Sequence, residues 1–380
     1  MSIIKDTELY KKAEPIIKYA VNFLAVTKNA RAVKKAIKEN SEYLKAFKKA
    51  FRQRSRVMSV RITNDSLRGF VESYRKKNVK AIKIADVKLS DNEPIMLCPV
   101  KDDLTRIKEH VRHYRQIGVR HLAYIDNEST DGTFEWLSEQ GDVSLFTVSE
   151  TFNPARKLAW MRQAADILGF DRWYLKPDSD EFFVYPSIET ISISRYIEHL
   201  ETKNIDAVLA PMIDMYSKDS VFSSDLEHDF RQKHCYFDTD TYTRRTVFYT
   251  QSITGGPRYR AFALCGELAK YPLVKAKESY FLSDHDACPY KLNFQTKGAG
   301  AFLLHYKFLD YDYDKYLKFA KSGIHTKDSG DHKRYISTHK ENPQMSLYCS
   351  SSQKLTSSMD LLKINICDDA FFNELAAVFQ

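Results

Sequence analysis

From Pro94 onward the chain alternates short apolar runs with amphipathic stretches, and this alternation constrains its fold more than any other feature. "PIMLCPV" (94–100) has the pattern of a buried strand. "DLTRIKEHVRHYRQIG" follows, with Leu104, Ile107, Val111, Tyr114 and Ile117 at helical spacing and Gly118 as its stop. "VRHLAYI" (119–125) is a second strand, "TFEWLSEQ" a short helix and "VSLFTV" (143–148) a third strand. "RKLAWMRQAADILG" is another helix, and "RWYLK" (172–176) a fourth strand. Strands and helices alternating at this pace predict a mostly parallel, Rossmann-like α/β sheet with flanking helices.

In such sheets ligands bind beyond the carboxyl ends of the strands. Three polar clusters fall at those ends: "KDD" (101–103), "DNESTDGT" (126–133) and "DSDE" (178–181). Topology alone therefore gathers Lys101, Asp103, Asp126, Asp178 and Asp180 on one rim. Asp178 and Asp180, two apart at a strand end, can share one hard divalent ion where the backbone turns. Mg2+ and Mn2+ prefer oxygen ligands, and Mg2+ usually keeps substrate phosphates in its shell. The plainer reading of that pair is a solvated acidic turn. Asp126, on the same rim, is suited to accept hydrogen bonds from ribose hydroxyls or a base edge. Ser129 to Thr133 need be no more than a strand–turn–helix connection, with Asp131 capping the helix.

Beyond residue 186 the pattern is less regular. "DAVLAPMIDMY" (206–216) is an apolar strand containing Asp214, and "TGGPRYRAF" (254–262) has the composition of a mobile glycine loop. "AFLLHYKFL" (301–309) is a strand carrying His305 and Lys307, and a helical tail rich in Lys and Tyr follows.

Charge divides the chain differently. Residues 1–90 hold 23 Lys and Arg against 8 Asp and Glu, whereas residues 91–380 hold 35 against 42. Residues 1–55 have helical apolar spacing (Ile16, Ile17, Ala20, Phe23, Leu24, then Val33, Ile37, Leu44, Phe47, Phe51) with lysines and arginines on the opposite faces. Such a surface can meet anionic lipid headgroups; it can equally be the solvated face of an ordinary helical subdomain. No apolar run reaches the roughly 20 residues of a membrane span, and the start lacks the apolar core of a signal peptide. The six cysteines are scattered, with no C-x-x-C pair, as expected of free thiols in a reducing compartment. These features lead us to expect a cytoplasmic protein, peripheral on the inner face of the membrane if the basic region docks there.

The order "CPVKDD…YIDNESTDGT…RKLAWMRQ…LKPDSDEFFVY" resembles glycosyltransferase family 2 and its relatives with the GT-A fold, most closely the bacterial branch whose metal motif reads D-x-D-E-F. "DMY", "GGPRYRAF", "YPLVK" and "LLHYKF" extend the likeness, which spans about residues 94–350. The resemblance implies metal-dependent transfer of a sugar from a nucleotide-sugar donor to a hydroxyl of a glycan or lipid-linked acceptor, in bacterial surface polysaccharide synthesis. It implies Mn2+ or Mg2+ as cofactor, Asp126 on the nucleoside, Asp178 on ribose or metal, and Asp180 as the main metal ligand. His305 is similar to the late metal-binding histidine of that fold, with His285 of "SDHDACPY" as its rival. Lys307 and Arg258 would meet the diphosphate, Lys101 and Asp103 would line the donor site, and Gly255–Gly256 would hinge a closing loop. The family inverts configuration, which calls for a base; Asp214, ending a strand on the rim, is the candidate. The late Q-x-x-R-W motif of typical members is absent.

The expected division is a basic helical region over 1–90, a GT-A catalytic domain over 91–310 and a helical extension over 311–380. Two other readings stay open. A nucleotidyl- or phosphotransferase could use the same nucleotide–metal rim, although no G-x-x-x-x-G-K-[ST] loop is present. A nucleic-acid-binding protein could use the basic N-terminal region, through residues such as Tyr43, Phe47 and Phe51, but no helix-turn-helix, OB or RRM signature accompanies the charge. No nucleic acid is expected as partner; an anionic membrane surface could be met through residues 1–60.

Overall fold

The computed structural model describes residues 64–223, 230–247, 250–278, 280–283, 285–288, 290–323 and 326–379. The amphipathic pattern of residues 1–55 lies outside the described residues. Chain order gives α1 (Asn64–Lys76), β1 (Lys80–Lys83), β2 (Ile95–Val100), α2 (Leu104–Gln116), β3 (His121–Asp126), α3 (Thr133–Ser138), β4 (Val143–Thr147), α4 (Pro154–Leu168) and β5 (Arg172–Leu175). These elements make the predicted alternation real. A six-stranded sheet has the order β1-β4-β3-β2-β5-β10, where β10 is Leu273–Ala276. Its four central strands are parallel, and the two edge strands are antiparallel to their neighbours.

Both faces of this sheet are covered, so its strands are apolar throughout, and alternate residues feed different cores. Met96, Cys98 and Val100 of β2 pack with Ile107, Val111 and Tyr114 of α2. Ile95 and Leu97 pack instead with Trp160, Met161 and Ala164 of α4. The helix α4 starts two residues before the expected "RKLAWMRQAADILG", because Asn153 caps it, accepting from the Ala155 N–H, and Pro154 opens its first turn. Residues 64–83 belong to the same body: α1 lies on α4, and β1 forms the sheet edge. Residues 64–83, expected in the separate 1–90 region, thus pack with the sheet expected over 91–310.

Strand β2 keeps β3 alongside for its whole length but pairs with β5 only at Ile95 and Met96. Beyond Met96 the two strands part. Pro99, which has no N–H to give, is tolerated there because one flank of β2 is already unpaired. Lys101–Asp103 and Asp178–Glu181 follow the ends of these two strands, on either side of the gap.

A second sheet closes the gap. It has three strands: β6 (Glu181–Val184), β11 (Phe302–His305) in the centre and β7 (Met212–Asp214). Its register sets Glu181 and Asp214 on either side of His305. The long strand expected over 206–216 shrinks to three residues, because 206–211 bonds instead to the segment around Leu268–Leu273 and to Gly300. A two-stranded ribbon, β8 (Tyr242–Val247) and β9 (Thr250–Gly255), leads into α6 (Gly256–Phe262). The "TGGPRYRAF" stretch is therefore a helix rather than a mobile loop: Pro257 is preorganised for a helical first turn. Helices α5 (Ile193–Thr202), α7 (Asp312–Ser322), α8 (Thr326–Glu341) and α9 (Asp369–Phe379) complete the described layers. No helix among the described residues is long and apolar enough to cross a membrane.

Candidate functional site

The turn between β5 and β6 brings Asp178, Asp180 and Glu181 together; Asp178 and Glu181 share Lys270, whereas Asp180 meets His305. Asp178 accepts from two buried lysines, Lys157 of α4 and Lys270, at 2.8 Å each. Burial would raise its carboxyl, but the two ammonium groups outweigh this and hold it well below the usual range. Glu181 takes Lys270 at 2.5 Å on one oxygen and the Asp178 backbone N–H at 3.0 Å on the other. Burial, with Asp178 and Asp180 close by, pushes its carboxyl up despite Lys270.

Asp180 faces an imidazole instead of a lysine. Its side chain keeps 23% of its exposure and meets His305 Nε2 at 3.2 Å. The other ring nitrogen, Nδ1, lies 2.6 Å from Asp214. Burial alone would lower the imidazole pKa, yet Asp180 and Asp214 together raise it. Asp214 also accepts from Arg258 Nε at 2.7 Å, and Arg258 and His305 hold its carboxyl at about 2 against the effect of burial. Lys307 is half-buried one turn of strand beyond, its ammonium 5.2 Å from the Tyr316 ring. Desolvation lowers its pKa, with Asp180 opposing.

Asp180, Glu181 and His305 can each offer a ligand atom, and these atoms lie within 4.8 Å of one another. Carboxylate oxygens with one imidazole suit Mn2+, and Mg2+ less well. The residues fit such an ion. His305 held through Nδ1 by Asp214 has its ring fixed with Nε2 turned to Asp180, as in carboxylate–histidine–metal arrangements.

The remaining predicted residues divide. Asp126 ends β3 almost wholly buried; one carboxylate oxygen accepts the Ser129 N–H at 3.1 Å and the other has no protein partner. Burial raises its pKa. An orphaned buried oxygen is costly unless a ligand supplies a donor. Lys101 is exposed and spends its ammonium on the carbonyls of Asn127 and Glu128, at 2.7 and 2.9 Å, which fixes the loop after Asp126. His285 bonds the Ala269 carbonyl at 2.8 Å and lies outside the Asp180 group.

Four expectations need correction. Asp103 does not face a donor: it is 2% exposed and locked to Arg106, Ser179 and Tyr311. Arg106 in turn grips Asp312 and the Tyr306 carbonyl, so this cluster ties α2 to α7. Asp178 accepts a lysine on each oxygen and lies outside the group of Asp180, Glu181 and His305 that could share a metal. Asp214 has both oxygens engaged and a depressed pKa, which unfits it as a base. Gly255 is no hinge either: a Cβ there would stand 2.1 Å from the Thr241 carbonyl, so the chain is pinned at that point.

Sequence reasoning passed over Lys157, Lys270, Arg106 and His110. His110 is fully buried, bonding the Tyr124 hydroxyl at 2.7 Å and the Asp178 carbonyl at 3.2 Å, with its pKa lowered by burial to about 4. For Lys157, Arg106 and His110 the signal was a charged or imidazole group on a buried helix face, where only pairing makes it tolerable; Lys270 lies in a loop and carried no such signal.

Neither a family model nor a curated protein matches the chain. Among solved structures the chain is similar to a mannosyltransferase from Pyrobaculum calidifontis, determined in complex with GDP-Man and Mn2+. The identity is 17% and the TM-score 0.24, over 40% of this chain and 43% of that one. The chain thus spans less than half the length of that protein, and the reading of the site rests on its own residues.

Proposed function

We propose that the chain is a glycosyltransferase that moves a sugar from a nucleotide-sugar donor to an acceptor hydroxyl, with Mn2+ or Mg2+ at this site. The observation that carries this reading is the line Asp180–His305–Asp214, which presents one carboxylate and one oriented imidazole beside the orphaned Asp126 oxygen's rim. Asp180 and His305 would hold the ion, which when bound neutralises charge building on a diphosphate leaving group. Asp126 receives a donor hydrogen bond from ribose or base. Lys307 and the Arg258 guanidinium add positive charge for the phosphates. Asp214 fixes the His305 ring, and Lys157 and Lys270 keep Asp178 ionised and stationary under the donor.

The acceptor is a glycan or lipid-linked hydroxyl, and the basic region of residues 1–60 brings the chain to an anionic membrane surface in bacterial surface polysaccharide assembly. These parts of the proposal, inversion of configuration and the three-part division of the chain rest on the sequence resemblance and charge distribution. A screen of UDP-, GDP- and CMP-sugars for donor hydrolysis with and without Mn2+ tests the activity. Turnover that survives Asp180→Ala, or needs no metal, would sink it; turnover of plain nucleoside triphosphates instead would favour a nucleotidyltransferase.

A further inference from the structure

Glu181 sits in the candidate metal-binding triad by distance, yet each of its oxygens is already engaged by a donor of the protein. One is bonded to the Lys270 ammonium at 2.5 Å and the other to the Asp178 N–H at 3.0 Å. Lys270 reaches from the loop before β10 and is 5% exposed, so water does not dilute the contact. It bridges Glu181 and Asp178, at 2.5 and 2.8 Å, and Lys157 completes the set on Asp178. Pulling Glu181 onto a dication would strand the ammonium on Asp178 alone, next to a second positive charge.

We propose that Lys270 withholds Glu181 from the cation, so that the protein alone offers a divalent ion only Asp180 and His305, and metal binding depends on a nucleoside diphosphate. This inference rests on the glycosyltransferase reading and deepens it. Two protein ligands leave an ion that prefers about six with most of its shell to be filled by water or phosphate. Affinity for such ions rises with the number of charged ligands. A site starved of one carboxylate therefore stays nearly empty until donor phosphates arrive, and metal and donor enter as a unit.

The test is Mn2+ titration of the full chain, followed by the electron paramagnetic resonance signal of the free ion, alone and with UDP, GDP, ADP or dTDP. The unsubstituted protein is expected to bind Mn2+ at least about tenfold more tightly with one of these diphosphates than without. Lys270→Met should tighten Mn2+ binding without nucleotide by about tenfold, and adding Glu181→Gln to it should reverse the gain. Glu181→Gln alone should leave the Mn2+ affinity where it was. Equal Mn2+ affinity with and without every diphosphate would overturn the inference while leaving the metal reading intact. So would a loss of Mn2+ binding in Glu181→Gln with Lys270 in place. If Lys270→Met does not fold, these two arms decide the matter. Failure of the folded, unsubstituted chain to bind Mn2+ under any of these conditions would remove the metal reading and this inference with it.

Discussion

His305 Nδ1 stands 2.6 Å from an oxygen of Asp214, and the two residues are register partners on adjacent parallel strands. The contact is thus written into the sheet itself. A loop could drift; two bonded strands ending at the same level cannot. The imidazole is clamped on one nitrogen, and its other nitrogen is delivered to Asp180 at 3.2 Å.

Removing the clamp separates positioning from ligation. Asp214→Asn should weaken Mn2+ binding in the presence of a nucleoside diphosphate by about 10- to 100-fold, as for lost partners of ligating histidines. It also leaves Arg258, whose side chain is 12% exposed, without its counter-charge. A stability loss of about 3 kcal/mol is expected. Denaturant titration reads the second effect and Mn2+ titration the first; an unchanged Mn2+ affinity would mean that His305 is not a ligand.

The same pair predicts proton release on metal binding. Asp180 and Asp214 lift the His305 pKa above its ordinary 6.5 in spite of burial. Its folded value is the higher one, so its contribution to stability is complete below pH 6.5 and fades as pH rises through the folded value. A cation needs the neutral ring, so Mn2+ must expel the proton near neutral pH. Calorimetry of Mn2+ binding in buffers of different ionisation enthalpy should show buffer-dependent heats at pH 6.5 that shrink in His305→Gln. Heats independent of buffer would count against a protonated His305.

Much of this was legible in the sequence, and the part that was not has a physical cause. Strands β2 to β5 could be read because both faces are buried, which makes each an unbroken apolar run between polar clusters. The rim position of Asp126, Asp178 and Asp180 followed from parallel topology alone. What Asp103, Asp178 and Asp214 do there did not, because their roles depend on partners that the sequence does not pair with them: Arg106, three residues from Asp103 but tied to the distant Asp312, then Lys157 with Lys270, and His305 with Arg258. No local pattern marks Lys270 as the neighbour of Glu181. The helix at Gly256 was missed for a different reason, since a Gly-Gly-Pro run signals a turn unless the next residues happen to pack.

Arg106 carries the longest of these ties. Its guanidinium is 1% exposed and joins Asp103, Asp312 and the carbonyl of Tyr306, the residue between His305 and Lys307. Arg106→Met would leave the buried Asp103 and Asp312 carboxylates with Lys315 as their remaining nearby cation. We expect a loss of about 3 to 5 kcal/mol, read as a lower denaturation midpoint. Asp103→Asn and Asp312→Asn should restore part of it when added together, which a packing defect alone would not allow.

Glu150 gives a second pH signature, on the acid side. It accepts from Ser73 at 2.6 Å, Lys76 at 2.7 Å and Trp160 at 2.9 Å, tying α1 to α4. Burial would raise its pKa, but these donors hold it at about 2. The folded value is the lower one, so its stabilisation is complete above the ordinary value of 4.5 and is lost as pH falls toward 2. Lys76 is 54% exposed, so solvent screens that contact and the effect is on the order of 1 kcal/mol. Hydrogen exchange of α1 should quicken between pH 4.5 and pH 3 before the central strands respond. In Glu150→Gln that acid step should vanish.

Gly255 tests whether the ribbon before α6 is pinned or hinged. Its φ is +113°, and a Cβ would fall 2.1 Å from the Thr241 carbonyl oxygen, a backbone atom that cannot swing away. Gly255→Ala must therefore push β9 off the turn before β8, moving α6 and with it the Arg258 guanidinium that holds Asp214. A cost of about 2 to 4 kcal/mol is expected, together with weaker Mn2+–nucleotide binding. Gly141→Ala is the control, since nothing lies within 4 Å of its added carbon, and it should change neither quantity. A Gly255→Ala protein as stable as the unsubstituted chain would mean that the ribbon yields, and that the segment moves as the glycine pair in the sequence suggested.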